Sequence, residues 1–220
     1  MTTAPQAPVG LRPAGGERVL IARDDGGLIE TLVETPGAPA RGLALIAHPH
    51  PLHGGSLDNK VTAMLARAAL ACGLIAVRPN FRGVGASTGT FDQGIGETED
   101  LLSVAREIGR RHPGLPWSLM GFSFGAYVQY RLASRIEAER LILVAPAVTI
   151  YSFGPPPAPS AIIHGEADEL IPLVPVEAYA RRYDIPLIIL PAAGHFFHGQ
   201  LIALRETVRS LLCPPSSSRV

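Results

Sequence analysis

Short apolar runs, each bounded by glycine or proline and separated by stretches of helical character, constrain this chain more than any other feature. The runs are Leu43 to Ala47, Leu74 to Val77, Trp117 to Met120, Leu141 to Ala145, Ala161 to Ile163 and Leu187 to Leu190. Such short, near-continuous runs suit strands buried on both faces of a parallel sheet. Helical stretches lie between and after them: Asn59 to Ala71, Glu97 to Arg111, Ala126 to Ile136, Val176 to Arg182 and Leu201 to Leu212. Ahead of the series, Arg18 to Ala22 and Leu28 to Val33 flank Asp24-Asp25-Gly26-Gly27, a hairpin pattern. The expected fold is therefore α/β, a doubly wound, mostly parallel sheet with an amino-terminal antiparallel hairpin.

At 220 residues, 47% of them hydrophobic, the chain is long enough for one sizeable core and short for two. We expect a single domain over 1–220, with 1–15 and 214–220 as loosely ordered ends. Nineteen basic residues balance nineteen acidic ones, so charge argues against nucleic acid or a membrane surface as partner and for a small, mostly neutral molecule. Nothing here reads on oligomeric state. Two cysteines, Cys72 and Cys213, form no disulfide framework; the expectation is unpaired thiols in a reducing compartment. No run approaches the ~20 apolar residues of a membrane span, and Met1 to Pro13 lacks the basic-then-apolar order of a signal peptide, which favours the cytoplasm.

Gly121-Phe122-Ser123-Phe124-Gly125 follows one apolar run and precedes one helical stretch. A serine between two glycines at a strand-to-helix junction reads as a nucleophile elbow, where a sharp turn needs neighbours without side chains. In open α/β sheets, reacting groups collect at the carboxyl ends of the strands. Two other run ends carry chemistry: His164-Gly165-Glu166-Ala167-Asp168 and Gly194-His195. Serine needs a histidine to take its proton, and that histidine needs a carboxylate to fix its tautomer, which makes Ser123, His195 and Asp168 the candidate catalytic set.

The order Ser, Asp, His, together with the elbow, resembles the α/β-hydrolases from Leu28 to Leu212. More narrowly, His48-Pro49-His50-Pro51-Leu52-x-Gly54-Gly55, Asn80-Phe81-Arg82-Gly83-Val84-Gly85-x-Ser87 and Phe91-Asp92-x-Gly94-x-Gly96-Glu97 resemble small bacterial cap-less hydrolases similar to dienelactone hydrolase and carboxylesterase relatives. The resemblance implies an oxyanion hole made by the backbone N–H of Phe124 and one from the loop at 48–52. Pro49 and Pro51 have no N–H to give, leaving His50, with Leu52 behind it. Relatives with a lid insert a helical cap after the sixth strand; here Pro146 to Pro159, with three consecutive prolines, has no room for one. The implied site is open. Leu52, Tyr151 and Phe153 are the candidate substrate-binding residues, the two aromatics as one apolar wall.

Competing readings exist for several residues. His48, His50 and His53 have a spacing that metals use, yet no acidic or cysteine ligand accompanies them, so no metal or other cofactor is expected. His48 fits better as a loop-organising hydrogen bonder and His164 as a packed one. His198 competes with His195 as base, and Glu166 with Asp168 as acid. Gly83-Val84-Gly85 lacks the rest of a phosphate loop and reads as a tight turn, with Arg82 pairing to a carboxylate such as Glu97 or Asp92 in preference to orienting a substrate oxygen. Phe122, Phe124, Tyr127 and Tyr130 read as core. The function expected is a serine hydrolase of small, short-chain carboxylic esters; amide, thioester or lactone substrates suit the same residues, and a non-catalytic binding protein is the rival from another class.

Overall fold

The computed structural model describes residues 16–213. The ends expected at 1–15 and 214–220 lie outside the described residues. Strands β1 (Gly16–Ala22) and β2 (Leu28–Glu34) pair antiparallel, as the Asp24-to-Gly27 turn requires. The other strands are β3 (Gly42–Ala47), β4 (Leu74–Pro79), β5 (Trp117–Phe122), β6 (Arg140–Val144), β7 (Ser160–Gly165) and β8 (Leu187–Leu190). They form one eight-stranded sheet in the order β1-β2-β4-β3-β5-β6-β7-β8. All pairings from β4 through β8 are parallel, whereas β2 meets β4 antiparallel.

Five helices cover the sheet: α1 (Lys60–Ala71), α2 (Ile95–Arg111), α3 (Phe124–Leu132), α4 (Leu173–Arg182) and α5 (Leu201–Leu212). Strand alternation divides the core in two. Leu43, Leu45, Leu119 and Leu141 pack with residues of α2, α3 and α4 on one face. Ala44, Ile46, Met120 and Ile142 pack with Val61 and Leu65 of α1 and Leu204 and Val208 of α5 on the other. Each fully buried Leu or Ile contributes about 1.5–3 kcal/mol, so both layers hold the central strands firmly. The Asn59 side chain starts α1 by accepting the N–H groups of Val61 and Thr62.

The chain winds from β3 to β4 on one side and then returns to place β5 on the other. Loops after β3 and β5 therefore diverge at a switch point, where this architecture opens a crevice for ligands. Between β6 and β7, residues 145–159 form no helix, so no helical cap stands there. Among the described residues no helix is long and apolar enough to cross a membrane.

One sequence expectation is overturned. Cys72, at the end of α1, and Cys213, at the end of α5, are joined in a disulfide across 141 residues, with Cα atoms 5.9 Å apart. Packing of α1 on α5 brings together two positions whose spacing carries no such message. The cysteines therefore give no support to a reducing compartment.

Candidate active site

Ser123 sits at the tip of the turn between β5 and α3 with φ 55° and ψ −115°, a conformation that costs a side-chain-bearing residue about 1–3 kcal/mol. Its N–H donates to the Val144 carbonyl at 2.8 Å, which ties the turn to β6. A Cβ at Gly121 would overlap the Gly125 carbonyl, and one at Gly125 would overlap the carbonyls of Ala47 and His48. Both glycines are demanded by close backbone approach, as the elbow pattern implies.

The loops after β7 and β8 bring two side chains to this serine. His195 Nε2 lies 3.1 Å from Ser123 Oγ, and His195 Nδ1 lies 2.8 Å from Asp168 Oδ2. The other Asp168 oxygen accepts the N–H groups of Leu170 at 3.0 Å and Ile171 at 2.8 Å. Burial by itself pushes the Asp168 carboxyl up; the hydrogen bonds from His195 and Ile171 outweigh it and hold the group below its ordinary value. Asp168 thus stays ionised and fixes Nδ1 of His195 as the protonated nitrogen, leaving Nε2 to accept from the serine hydroxyl. His195 is 3% exposed, shielded by the Phe122 ring at 5.1 Å and the Phe196 ring at 5.1 Å.

On the other side of Ser123 lies the loop after β3. His48 is fully buried: Nδ1–H donates to the Pro49 carbonyl at 2.7 Å and Nε2 accepts the Phe81 N–H at 2.9 Å. Burial lowers its pKa to about 4, so it is the neutral organiser of the loop. The Leu52 N–H is already engaged, donating to His50 Nδ1 at 3.2 Å, and the Leu52 side chain is 68% exposed. Among the described residues the N–H groups of His50 and Phe124 meet no protein acceptor. Each is thus an unused donor, one on the buried elbow and one on its neighbour loop.

The profile of the family described as serine aminopeptidase, S33, matches residues 47–185, from the end of β3 to just past α4. The chain belongs to this family of α/β-hydrolases. Among solved structures, this hydrolase is similar to an α/β serine hydrolase homologue from Coxiella burnetii, at 39% identity and TM-score 0.85 over 90% of this chain and 97% of that one. It is also similar to a serine hydrolase without a lid from Xanthomonas campestris, at 34% identity and TM-score 0.85 over 94% and 99% of the two chains. An uncharacterised protein of Rickettsia prowazekii is 33% identical over 178 residues, 74% of each chain.

The hydrolase places its other candidate residues as follows. Tyr151 stacks on Tyr127 at 4.6 Å and meets Phe124 at 5.4 Å, so it reaches the elbow. Phe153 packs on Tyr127, Tyr130 and Tyr179, one ring further away. Phe122 and Phe124 are buried, while Tyr127 and Tyr130 are half-buried. Glu166 accepts the Ala192 N–H and does not meet His195. His164 is buried, with Nε2 2.9 Å from the Ile171 carbonyl and 3.6 Å from Asp168 Oδ2, beneath the acid loop. Exposed His198 forms no part of the relay. Arg82 forms the structural pair with Asp92 that the sequence suggested, at 3.9 Å, but its main partner is one the sequence reading did not name, Asp100, at 2.7 and 2.9 Å. Glu97 is instead turned inward to accept the N–H groups of Asp92 and Gly94, because α2 begins at Ile95, ahead of the expected start. The acidic run Glu97-x-Glu99-Asp100 was the signal that a second carboxylate was available.

Proposed function

We propose that this chain is a serine hydrolase of small, short-chain carboxylic esters, working through an acyl-enzyme on Ser123. The observation that carries the reading is the continuous relay Ser123 Oγ, His195 Nε2, His195 Nδ1, Asp168 Oδ2, with links of 3.1 and 2.8 Å. Ser123 Oγ attacks the ester carbonyl carbon as its proton passes to His195 Nε2, and Asp168 stabilises the imidazolium. The carbonyl oxygen becomes an oxyanion, held by the N–H groups of His50 and Phe124. Collapse expels the alkoxide, which takes the proton from His195, and water repeats the sequence to free the acid and Ser123. With no cap, little apolar surface is available to enclose a long acyl chain, which supports short acyl groups, with Tyr151 as one wall.

The family description names an aminopeptidase, which gives an aminoacyl amide reading its own support. Such a substrate carries a free ammonium group that needs a carboxylate near the serine. Around the relay, Glu166 accepts the Ala192 N–H at 3.0 Å, Glu169 accepts the His195 N–H at 3.3 Å, and Asp168 serves His195. That pattern favours the ester. Turnover of 4-nitrophenyl acetate, the matching thioester and an aminoacyl 4-nitroanilide separates the readings. We expect the ester to lead in kcat/KM, and a leading anilide would overturn the ester assignment.

A further inference from the structure

Phe91-Asp92-x-Gly94-x-Gly96-Glu97 has no part in the relay, yet its carboxylates bond it closely to itself. The Glu97 carboxylate, fully buried, accepts the Asp92 N–H at 2.8 Å and the Gly94 N–H at 2.7 Å. The Asp92 carboxylate accepts the Gly96 N–H at 2.9 Å. Gln93 (φ 53°) and Gly94 (φ 91°) both take left-handed backbone, and a Cβ at Gly94 would stand 2.8 Å from the Tyr127 ring. A turn held by two carboxylates and barred from side chains at its closest approach has one well-defined shape.

That shape delivers the Phe91 ring onto two residues. Its centroid lies 4.7 Å from the His50 ring and 5.5 Å from the Phe124 ring, and those two rings are 5.1 Å from each other. The three rings form a closed triangle with offset, tilted contacts. Two corners, His50 and Phe124, have backbone N–H groups that find no protein acceptor among the described residues. We propose that Phe91 is a positioning residue for the oxyanion hole: by packing on both side chains it fixes the separation of the His50 and Phe124 N–H groups. The inference rests on the serine-hydrolase reading given above. It gives the 91–97 turn a task that the relay does not supply, beside the backbone hydrogen bonds from His53 and Gly55 to the His50 carbonyl and the buried His48 that also hold this loop.

The test compares Phe91→Ala, Phe91→Leu and Phe91→Tyr in the full chain. Misaligned donors are felt where the oxyanion forms, so with 4-nitrophenyl acetate Phe91→Ala should lower kcat by ~10- to 100-fold and move KM by no more than about twofold. Affinity for a trifluoromethyl ketone, whose adduct on Ser123 carries the oxyanion, should fall by the same factor. Phe91→Leu fills space without a ring and should follow alanine, while Phe91→Tyr should restore both readouts. A loss of melting temperature alone, with kcat and ketone affinity unchanged, would overturn the assignment. So would a rise in KM as large as the fall in kcat, or full function in Phe91→Leu. Failure of the wild-type protein to turn over any carbonyl substrate would instead overturn the serine-hydrolase reading.

Discussion

On the β7–β8 side of Ser123, side chains meet the serine directly: Asp168 and His195 form a chain of hydrogen bonds that ends on its hydroxyl. Across the serine, the proposed oxyanion donors are backbone N–H groups, His50 in the loop after β3 and Phe124 at the start of α3, whose side chains meet Phe91 in the ring triangle beside the buried His48. This asymmetry decides which residues a substitution can reach. A side chain in the relay can be deleted outright, whereas a backbone donor can only be disturbed through its supports. Losses should therefore be abrupt on one side and graded on the other.

Four substitutions or treatments probe that contrast. Ser123→Ala removes the nucleophile, and ester turnover should fall by ~10⁵- to 10⁶-fold with unchanged melting temperature; initial rates on 4-nitrophenyl acetate measure it. Asp168→Asn frees His195 to take the wrong tautomer and should lower kcat by ~10⁴-fold, again in the side-chain half alone. Reducing the Cys72–Cys213 disulfide should lower unfolding free energy by roughly 5 kcal/mol, judged from the 141 residues it closes. Because the bridge joins the far ends of the helices that leave both loops, rates at 25 °C should not change; urea titration with and without reductant, beside an activity assay, checks both parts.

The smallest effect concerns His48 on the backbone-donor side. Its pKa is about 4 in the folded protein against an ordinary 6.5, so above pH 6.5 both states are neutral and its contribution is fully present. Below 6.5 the unfolded chain takes a proton that the buried imidazole refuses, and stability declines until about pH 4. The loss should reach roughly 3 kcal/mol, because each tenfold difference in proton affinity between the two states is worth about 1.36 kcal/mol. Urea midpoints at pH 7, 5 and 4 should show that slope in the wild type and a flatter one in His48→Phe.

Much of this arrangement is legible in the amino-acid sequence. Strand positions follow from apolar runs cut by glycine and proline, as with Leu187–Leu190, whose expected and observed bounds coincide. The relay is legible because its residues stand directly after strands, where an α/β sheet collects its chemistry. Pairings set by packing in three dimensions are not. Cys72 meets Cys213 only because α1 lies on α5. Arg82 holds Asp100 more closely than Asp92, while Glu97 is drawn inward to accept the Gly94 N–H where α2 begins, two residues ahead of the expected start. Backbone donors leave no mark of their own in a sequence; His50 is visible only through the prolines on either side of it, which have no N–H.

Ser123 as a nucleophile activated by His195 is tested most directly by covalent labelling. Intact protein is treated with a fluorophosphonate at neutral pH, and the adduct is located by mass spectrometry of peptides. One adduct per chain is expected, on Ser123, absent in Ser123→Ala and slowed by orders of magnitude in Asp168→Asn. No adduct on folded wild-type protein, or an adduct that persists in Ser123→Ala, would contradict the assignment.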